Sequence, residues 1–178
     1  MKPVTVSIDI DRPREELFAY LADVANHPEF CDHFLTDWRL TREDSYGAGA
    51  GARFKGTRRL TRYGWADMTL VVVDPPRQMV AHGLGGMFNR ISSVTVWSLE
   101  TTANGATHVE VTTETTPATF TDRLSEALGQ RAWARRGWSK ALRRLRAIAE
   151  EGRERGRRAT IAGGPRKPAS EFRFDAQM

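Results

Sequence analysis

The chain has one cysteine, Cys31, so no disulfide can close within it. A lone thiol fits a reducing cytoplasm. No apolar run approaches the roughly 18 residues needed to cross a bilayer. Met1-Lys2-Pro3 runs straight into Val4 without the apolar core of a signal peptide, so a cytoplasmic protein is expected. Metal-ligand spacing is missing as well. His27, Cys31, Asp32 and His33 lie close together, but their intervals match no common structural zinc pattern. A loop histidine and a small buried thiol account for them, and neither metal nor cofactor is expected. No nucleophile elbow supports a serine-histidine-aspartate hydrolase. The glycine-rich stretch Ser45-Tyr46-Gly47-Ala48-Gly49-Ala50-Gly51 leads into strand-like Ala52-Arg53-Phe54-Lys55 rather than a helix start. It therefore reads as a strand connection, not a phosphate loop.

What is present suits one domain: 178 residues, 40% hydrophobic and 28% charged. The charge is unevenly placed. Residues 131–167 carry 13 Lys and Arg against 3 acids, a net +10 within a chain of +5 overall. Arginines without a recognition motif imply no specific nucleic acid. Residues 153–178 lack apolar periodicity and are expected to form a basic, disordered tail. Its readings are a solubilising segment or weak contact with an anionic membrane or acidic partner. The domain itself is expected to occupy residues 1–152, as a monomer or homodimer.

Along the chain, Val4, Val6, Ile8 and Ile10 alternate with polar residues, the pattern of a half-buried strand. Arg12-Pro13-Arg14-Glu15-Glu16 then carries helix-start signals, because proline needs no donor there and acids suit the positive helix end. Asp23 is expected to cap a second short helix reaching Phe30. Everything from residue 35 to 116 reads as strands: 35–42, 52–60, 65–74, 78–84, 91–100 and 107–116. A hairpin about Arg62-Tyr63-Gly64 with Leu60 opposite Trp65 would set Arg58 against Asp67 and Phe54 against Val71 on one face. A three-residue loop with Gly105 left-handed would bring Trp97 and Leu99 alongside Val109 and Val111.

From about Thr119 to Glu150 the apolar residues gather on one helical face that includes Leu124, Leu128, Ala134, Trp138, Leu142 and Leu145. Gly129 and Gly137 interrupt it, permitting a kink or a close approach to the sheet. Arg131 and Arg135 fall among the leucines. Their stems could cover apolar surface while the heads reach water, or a guanidinium could hold a ligand anion at a cavity mouth. Arg58 and Asp67 likewise read as a polar patch in an apolar wall or as an exposed cross-strand pair. Asp67 and His82 are the weak acid/base candidates.

The succession strand, two short helices, six strands, long helix resembles the START-like (SRPBCC) superfamily, most closely its polyketide cyclase/dehydratase-like branch. The likeness rests on the Val4–Ile10 strand with Arg12-Pro13-Arg14-Glu15-Glu16-Leu17-Phe18, and on Leu21-Ala22-Asp23-Val24-Ala25-Asn26-His27-Pro28-Glu29-Phe30. Gly51-Ala52-Arg53-Phe54, Val73-Asp74-Pro75-Pro76 and Val96-Trp97-Ser98-Leu99 before Gly105 extend it over about residues 3–150. The resemblance implies an α+β helix-grip fold: a strongly curved antiparallel sheet of about seven strands around a long C-terminal helix, with two short helices after strand 1. It also implies a cavity for an apolar or aromatic small molecule (a lipid, quinone or polyketide-like compound) but carries over no catalytic residue. Phe30, Phe34, Phe54, Trp65, Trp97, Leu124, Leu128 and Arg131 are expected to border that cavity, with Arg58, Asp67 and Arg135 as its further polar residues. A carrier or sensor is expected. A cyclase, aromatase or dehydratase, and an adaptor acting through the basic tail, are the alternatives.

Overall fold

The computed structural model describes residues 1–57, 64–119, 123, 129–152 and 156–161, the side chain of Met87 apart. Seven strands form one antiparallel sheet in the order β1-β7-β6-β5-β4-β3-β2: β1 Val4–Ile10, β2 Leu35–Leu40, β3 Gly51–Gly56, β4 Trp65–Asp74, β5 Gln78–Gly85, β6 Ile91–Thr101 and β7 Thr107–Thr116. Between β1 and β2 lie α1 (Arg14–Ala22), a 3-10 turn (Val24–Asn26) and α2 (His27–Cys31). The long helix α3 spans Gln130–Glu151 and packs mainly on β1 and α2. This curled sheet gripping a long helix is the α+β helix-grip architecture that the resemblance implies.

Local chemistry explains most element boundaries. Pro13 stands at the N-cap of α1, with Glu15 and Glu16 in the first turn. Asp23 accepts a hydrogen bond from the Ala25 amide at 3.1 Å and so caps the turn leading to α2. In the β6–β7 hairpin, Gly105 takes φ 85°, Trp97 lies opposite Val111 and Leu99 opposite Val109. That register keeps Trp97 only 1% exposed, and burial of such a side chain is worth roughly 2–3 kcal/mol.

Three expectations need correction. The β3–β4 register is offset from the one expected: Lys55, not Leu60, faces Trp65, so Arg53 opposes Asp67 and Phe54 opposes Ala66. The offset from Leu60 to Lys55 is an odd number of residues, which turns Trp65 and Asp67 to the other face of the sheet from Phe54. Arg58 lies outside the described residues. The long helix also does not run unbroken from residue 119. Gly129 stands before its first turn at φ 94°, a left-handed conformation that no right-handed helix continues through. Leu124 and Leu128 lie outside the described residues.

The third correction concerns the chain's end. Residues 156–161 are packed against the domain, so the expected boundary at 153 falls too early. The Ala159 amide donates to the Ala25 carbonyl at 2.9 Å, and the Leu40 amide donates to the Thr160 carbonyl at 3.0 Å. Thr160 forms a parallel bridge with Arg39 on β2, and Ala159 is buried in the core. This segment covers part of an edge strand that would otherwise offer open backbone groups. Residues 162–178 lie outside the described residues.

Candidate functional site

The inner face of the sheet, turned towards α3, is built from alternate residues of each strand. On β5 these are Met79, Ala81, Gly83 and Gly85, paired in turn with Trp97, Thr95, Ser93 and Ile91 of β6. Beyond β6, Trp97, Thr95 and Ser93 face Val111, Thr113 and Thr115 of β7. Two regions result. The row Val111–Trp97–Met79 is large, apolar and buried. The rows Thr113–Thr95–Ala81 and Thr115–Ser93–Gly83 carry only hydroxyl-bearing or vestigial side chains.

The large region is filled by an aromatic cluster. Trp97 meets Phe30 edge-on at 6.0 Å and Trp138 at 5.5 Å, and Phe34 meets Trp138 at 5.3 Å and Trp133 at 5.6 Å. Phe54 lies 4.6 Å from Trp38. Four predicted cavity residues (Phe30, Phe34, Phe54 and Trp97) are thus brought together, but chiefly with one another and with Trp38, Trp133 and Trp138. Edge-to-face packing of this kind stabilises a core beyond its buried area. His27 joins the cluster, donating from Nε2 to the Leu21 carbonyl at 2.8 Å, and burial pushes its pKa down, which holds the ring neutral.

The small region has another character. Thr95 and Thr113 hydroxyls lie 3.0 Å apart across β6 and β7. A methyl group at Gly83 would fall on the Ser93 hydroxyl and only 2.9 Å from the Asp67 carbonyl. The missing side chain is therefore what lets Ser93 lie over β5. Met68 and Ala66 of β4 continue this shallow wall opposite Gly83 and Gly85. Hydroxyls can donate to or accept from a ligand oxygen, but they do not ionise near neutral pH. Sequence reasoning missed Ser93, Thr95 and Thr113. The signal was there in Ala81-His82-Gly83-Leu84-Gly85, where every second residue is small, the mark of a strand face left bare.

The remaining predicted residues lie elsewhere. Trp65 and Asp67 are on the outer face, where Arg53 donates from Nε and Nη2 to the two Asp67 carboxylate oxygens at 2.7 and 2.8 Å. Hydrogen bonding to Asp67, then its charge, raises the pKa of the Arg53 guanidinium. His82 is also outward and exposed, its Nε2 3.1 Å from the Ser92 hydroxyl. Arg131 and Arg135 are both exposed. Arg131 shares the angular position of the buried stripe, but it sits in the first turn of α3, before the packing of Ala134 and Trp138 begins. Cys31 is buried, which pushes its thiol pKa well up, so it stays protonated. Asp32 and His33 both meet Arg144: Asp32 accepts from Nη1, and His33 Nδ1 lies 3.2 Å from the same nitrogen.

Residues 1–150 match the family model described as polyketide cyclase / dehydrase and lipid transport. Among solved structures, a protein from Nitrosospira multiformis superposes with a TM-score of 0.62 at 16% identity, covering 85% of this chain and 99% of that one. Truncated norcoclaurine synthase from Thalictrum flavum gives 0.63 at 8% identity, covering 83% and 92%. DynU16, from the dynemicin biosynthetic locus, gives 0.58 at 18% identity, covering 85% of this chain but 48% of that one. Identities this low establish a shared fold. No curated protein matches the chain at a significant level.

Proposed function

Because the chain belongs to the polyketide cyclase / dehydrase and lipid transport family, we propose that it binds an apolar or aromatic small molecule bearing hydroxyl or carbonyl oxygens, as a carrier or sensor. The ligand lies between the inner face of β5–β7 and the helical side of the fold. The observation that carries this reading is the change in the inner wall from the filled row at Trp97 to the bare, hydroxyl-lined rows at Thr95 and Ser93. A ligand pocket is mostly apolar with a few placed polar groups, and these rows supply both. Binding is favoured over proton-transfer chemistry because the polar groups on these rows are hydroxyls, while Asp67 and His82 face outward. A polyketide cyclase or dehydratase would need a titratable group within reach of the substrate.

The test is native mass spectrometry of the purified full chain for a co-purified small molecule, followed by affinity measurement with Thr95→Val. A retained molecule with a large apolar body, bound about tenfold more weakly by the variant, supports the reading, since one lost hydrogen bond is worth roughly 1–1.5 kcal/mol. A chemically altered product on incubation with that molecule would replace it with the cyclase reading. Absence of any bound or bindable apolar molecule would overturn it.

A further inference from the structure

The outer face carries a feature that the inner-face reading leaves unused. The registers place Arg39 of β2, Arg53 of β3 and Asp67 of β4 in one row across three strands, with Trp65 two residues before Asp67 on the same face. Together with Ala66 and Asn89 these residues line a pocket of about 300 Å³. Its charge is uneven. Asp67 is engaged side-on by Nε and Nη2 of Arg53, which leaves the Arg53 Nη1 hydrogens unspent. Arg39 has no hydrogen-bond or ion-pair partner for its guanidinium among the described residues. Two guanidinium groups against one carboxylate leave a net positive site, and the surplus lies at the Arg39 end, two strands from Asp67.

The rest of the lining is aromatic and amide. Trp65 leaves 42% of its surface open to solvent although it follows directly on the β3–β4 connection. An indole exposed in this way presents a flat apolar wall next to cationic groups. Asn89 is held at the rim by an unusual backbone: Phe88 and Asn89 take φ 60° and 56° in succession. Asparagine tolerates the left-handed region, but phenylalanine rarely adopts it, and strain of this kind gathers where a side chain must be aimed. The Asn89 carboxamide can donate to or accept from a ring substituent.

We propose that this outer pocket is a second binding site, for a single-ring aromatic carboxylate whose anionic group pairs with Arg39 and Arg53 and whose ring lies against Trp65. A volume of about 300 Å³ is at the lower limit of small-molecule pockets, so one ring fits and a fused polycycle does not. The carboxylate is oriented towards Arg39 because Asp67 repels it from the other end. This site is independent of the inner-face reading and stands or falls separately.

The experiment is titration of the full-length protein with 4-hydroxybenzoate by calorimetry and by two-dimensional NMR of the indole N–H signals, alongside the uncharged 4-hydroxybenzamide and inorganic phosphate. The Trp65 signal is assigned from its loss in Trp65→Phe. The expected result is saturable binding of 4-hydroxybenzoate with a shift of the Trp65 signal, at least tenfold weaker binding of the amide and of phosphate, and at least tenfold weaker binding by Arg39→Gln. Arg39 is exposed and without a side-chain partner among the described residues, so that variant keeps the fold. Equal binding of phosphate would overturn the aromatic part of the proposal, and equal binding of the amide would overturn its anionic part. No binding at millimolar concentration, or binding lost in Thr95→Val and retained in Arg39→Gln, would overturn the site itself.

Discussion

Arg158 pairs with Asp23, 135 residues earlier in the chain, Nη2 donating to Oδ2, with the two side chains only 17% and 8% exposed. Asp23 serves twice, because its Oδ1 also caps the turn at Ala25. The pair fastens residues 156–161 over the junction between α1 and α2. Its benefit is partly offset, since Arg158 Nε is buried without a partner among the described residues.

Arg158→Met is therefore expected to cost roughly 2 kcal/mol, the scale of hydrogen bonds to charged groups. That corresponds to a melting temperature lower by about 4–8 °C for a chain of this size. Truncation after Gly152 should lower it at least as much, because it also removes Ala159 from the core, whereas truncation after Ile161 should leave it nearly unchanged. Thermal denaturation of the three variants decides this. Equal melting temperatures for the two truncations would show that the docked segment contributes nothing.

Stability should fall on mild acidification. His27 and His33 both have pKa values below the ordinary histidine value, in each case chiefly through burial, with the Arg144 and Lys140 charges adding to the effect at His33. A histidine whose native pKa is depressed binds fewer protons folded than unfolded. Its stabilising contribution is thus complete above about pH 6.5 and is lost as the pH falls through the native value. At His33 the Nε2 hydrogen bond donated to the Gly137 carbonyl at 3.1 Å opposes this shift without cancelling it, and it leaves Nδ1 as the acceptor facing Arg144. Urea midpoints measured from pH 8 to pH 5 should decline below pH 6.5, and His33→Gln should flatten the decline. A profile rising towards pH 5 would contradict both assignments.

The Arg53–Asp67 pair supplies a contrasting expectation. It is bidentate but largely solvent-exposed, with 53% and 32% of the two side chains accessible, and such pairs contribute under about 1 kcal/mol. Asp67→Asn should shift the urea midpoint little. It should also leave unchanged the affinity for a molecule held on the inner face, because Asp67 faces the other way. An inner-face ligand lost in Asp67→Asn would mean that the β3–β4 register differs from the one described.

These outcomes mark how far the residues could be read in advance. Strands such as β1 and β7 were legible because one face is apolar and the other polar, so period two has a single solution. Trp97 allowed the β6–β7 register to be chosen, since only one loop length buries it. The β3–β4 pair had no such anchor. Trp65 is apolar yet exposed, so the alternation fitted either face equally well. The docked tail was hidden for a different reason: its hold includes one arginine, one alanine and backbone hydrogen bonds at Ala159 and Thr160, none of which makes a periodic pattern. The bare wall was hardest of all, because a site made of glycine, alanine, serine and threonine announces itself by missing bulk rather than by reactive groups.

Gly137 offers the sharpest test of the helix–core packing. By intrinsic propensity, alanine in the middle of α3 should be better than glycine by about 1 kcal/mol. The structure predicts the opposite sign. A β-carbon there would lie 2.7 Å from Cε2 and 2.8 Å from Cγ of Phe34, and closer still to Cδ2. The ring cannot simply swing aside, because Trp133 and Trp138 bracket it at 5.6 and 5.3 Å. Overpacking of a core typically costs about 1–3 kcal/mol, which exceeds the propensity gain. Gly137→Ala should therefore lower the urea midpoint, and the double variant Gly137→Ala with Phe34→Leu should recover part of the loss by freeing the space. The measurement is a two-by-two cycle of urea denaturation. A Gly137→Ala protein more stable than the parent would mean that α3 does not approach Phe34 as described, and the packing of α3 against α2 would have to be redrawn.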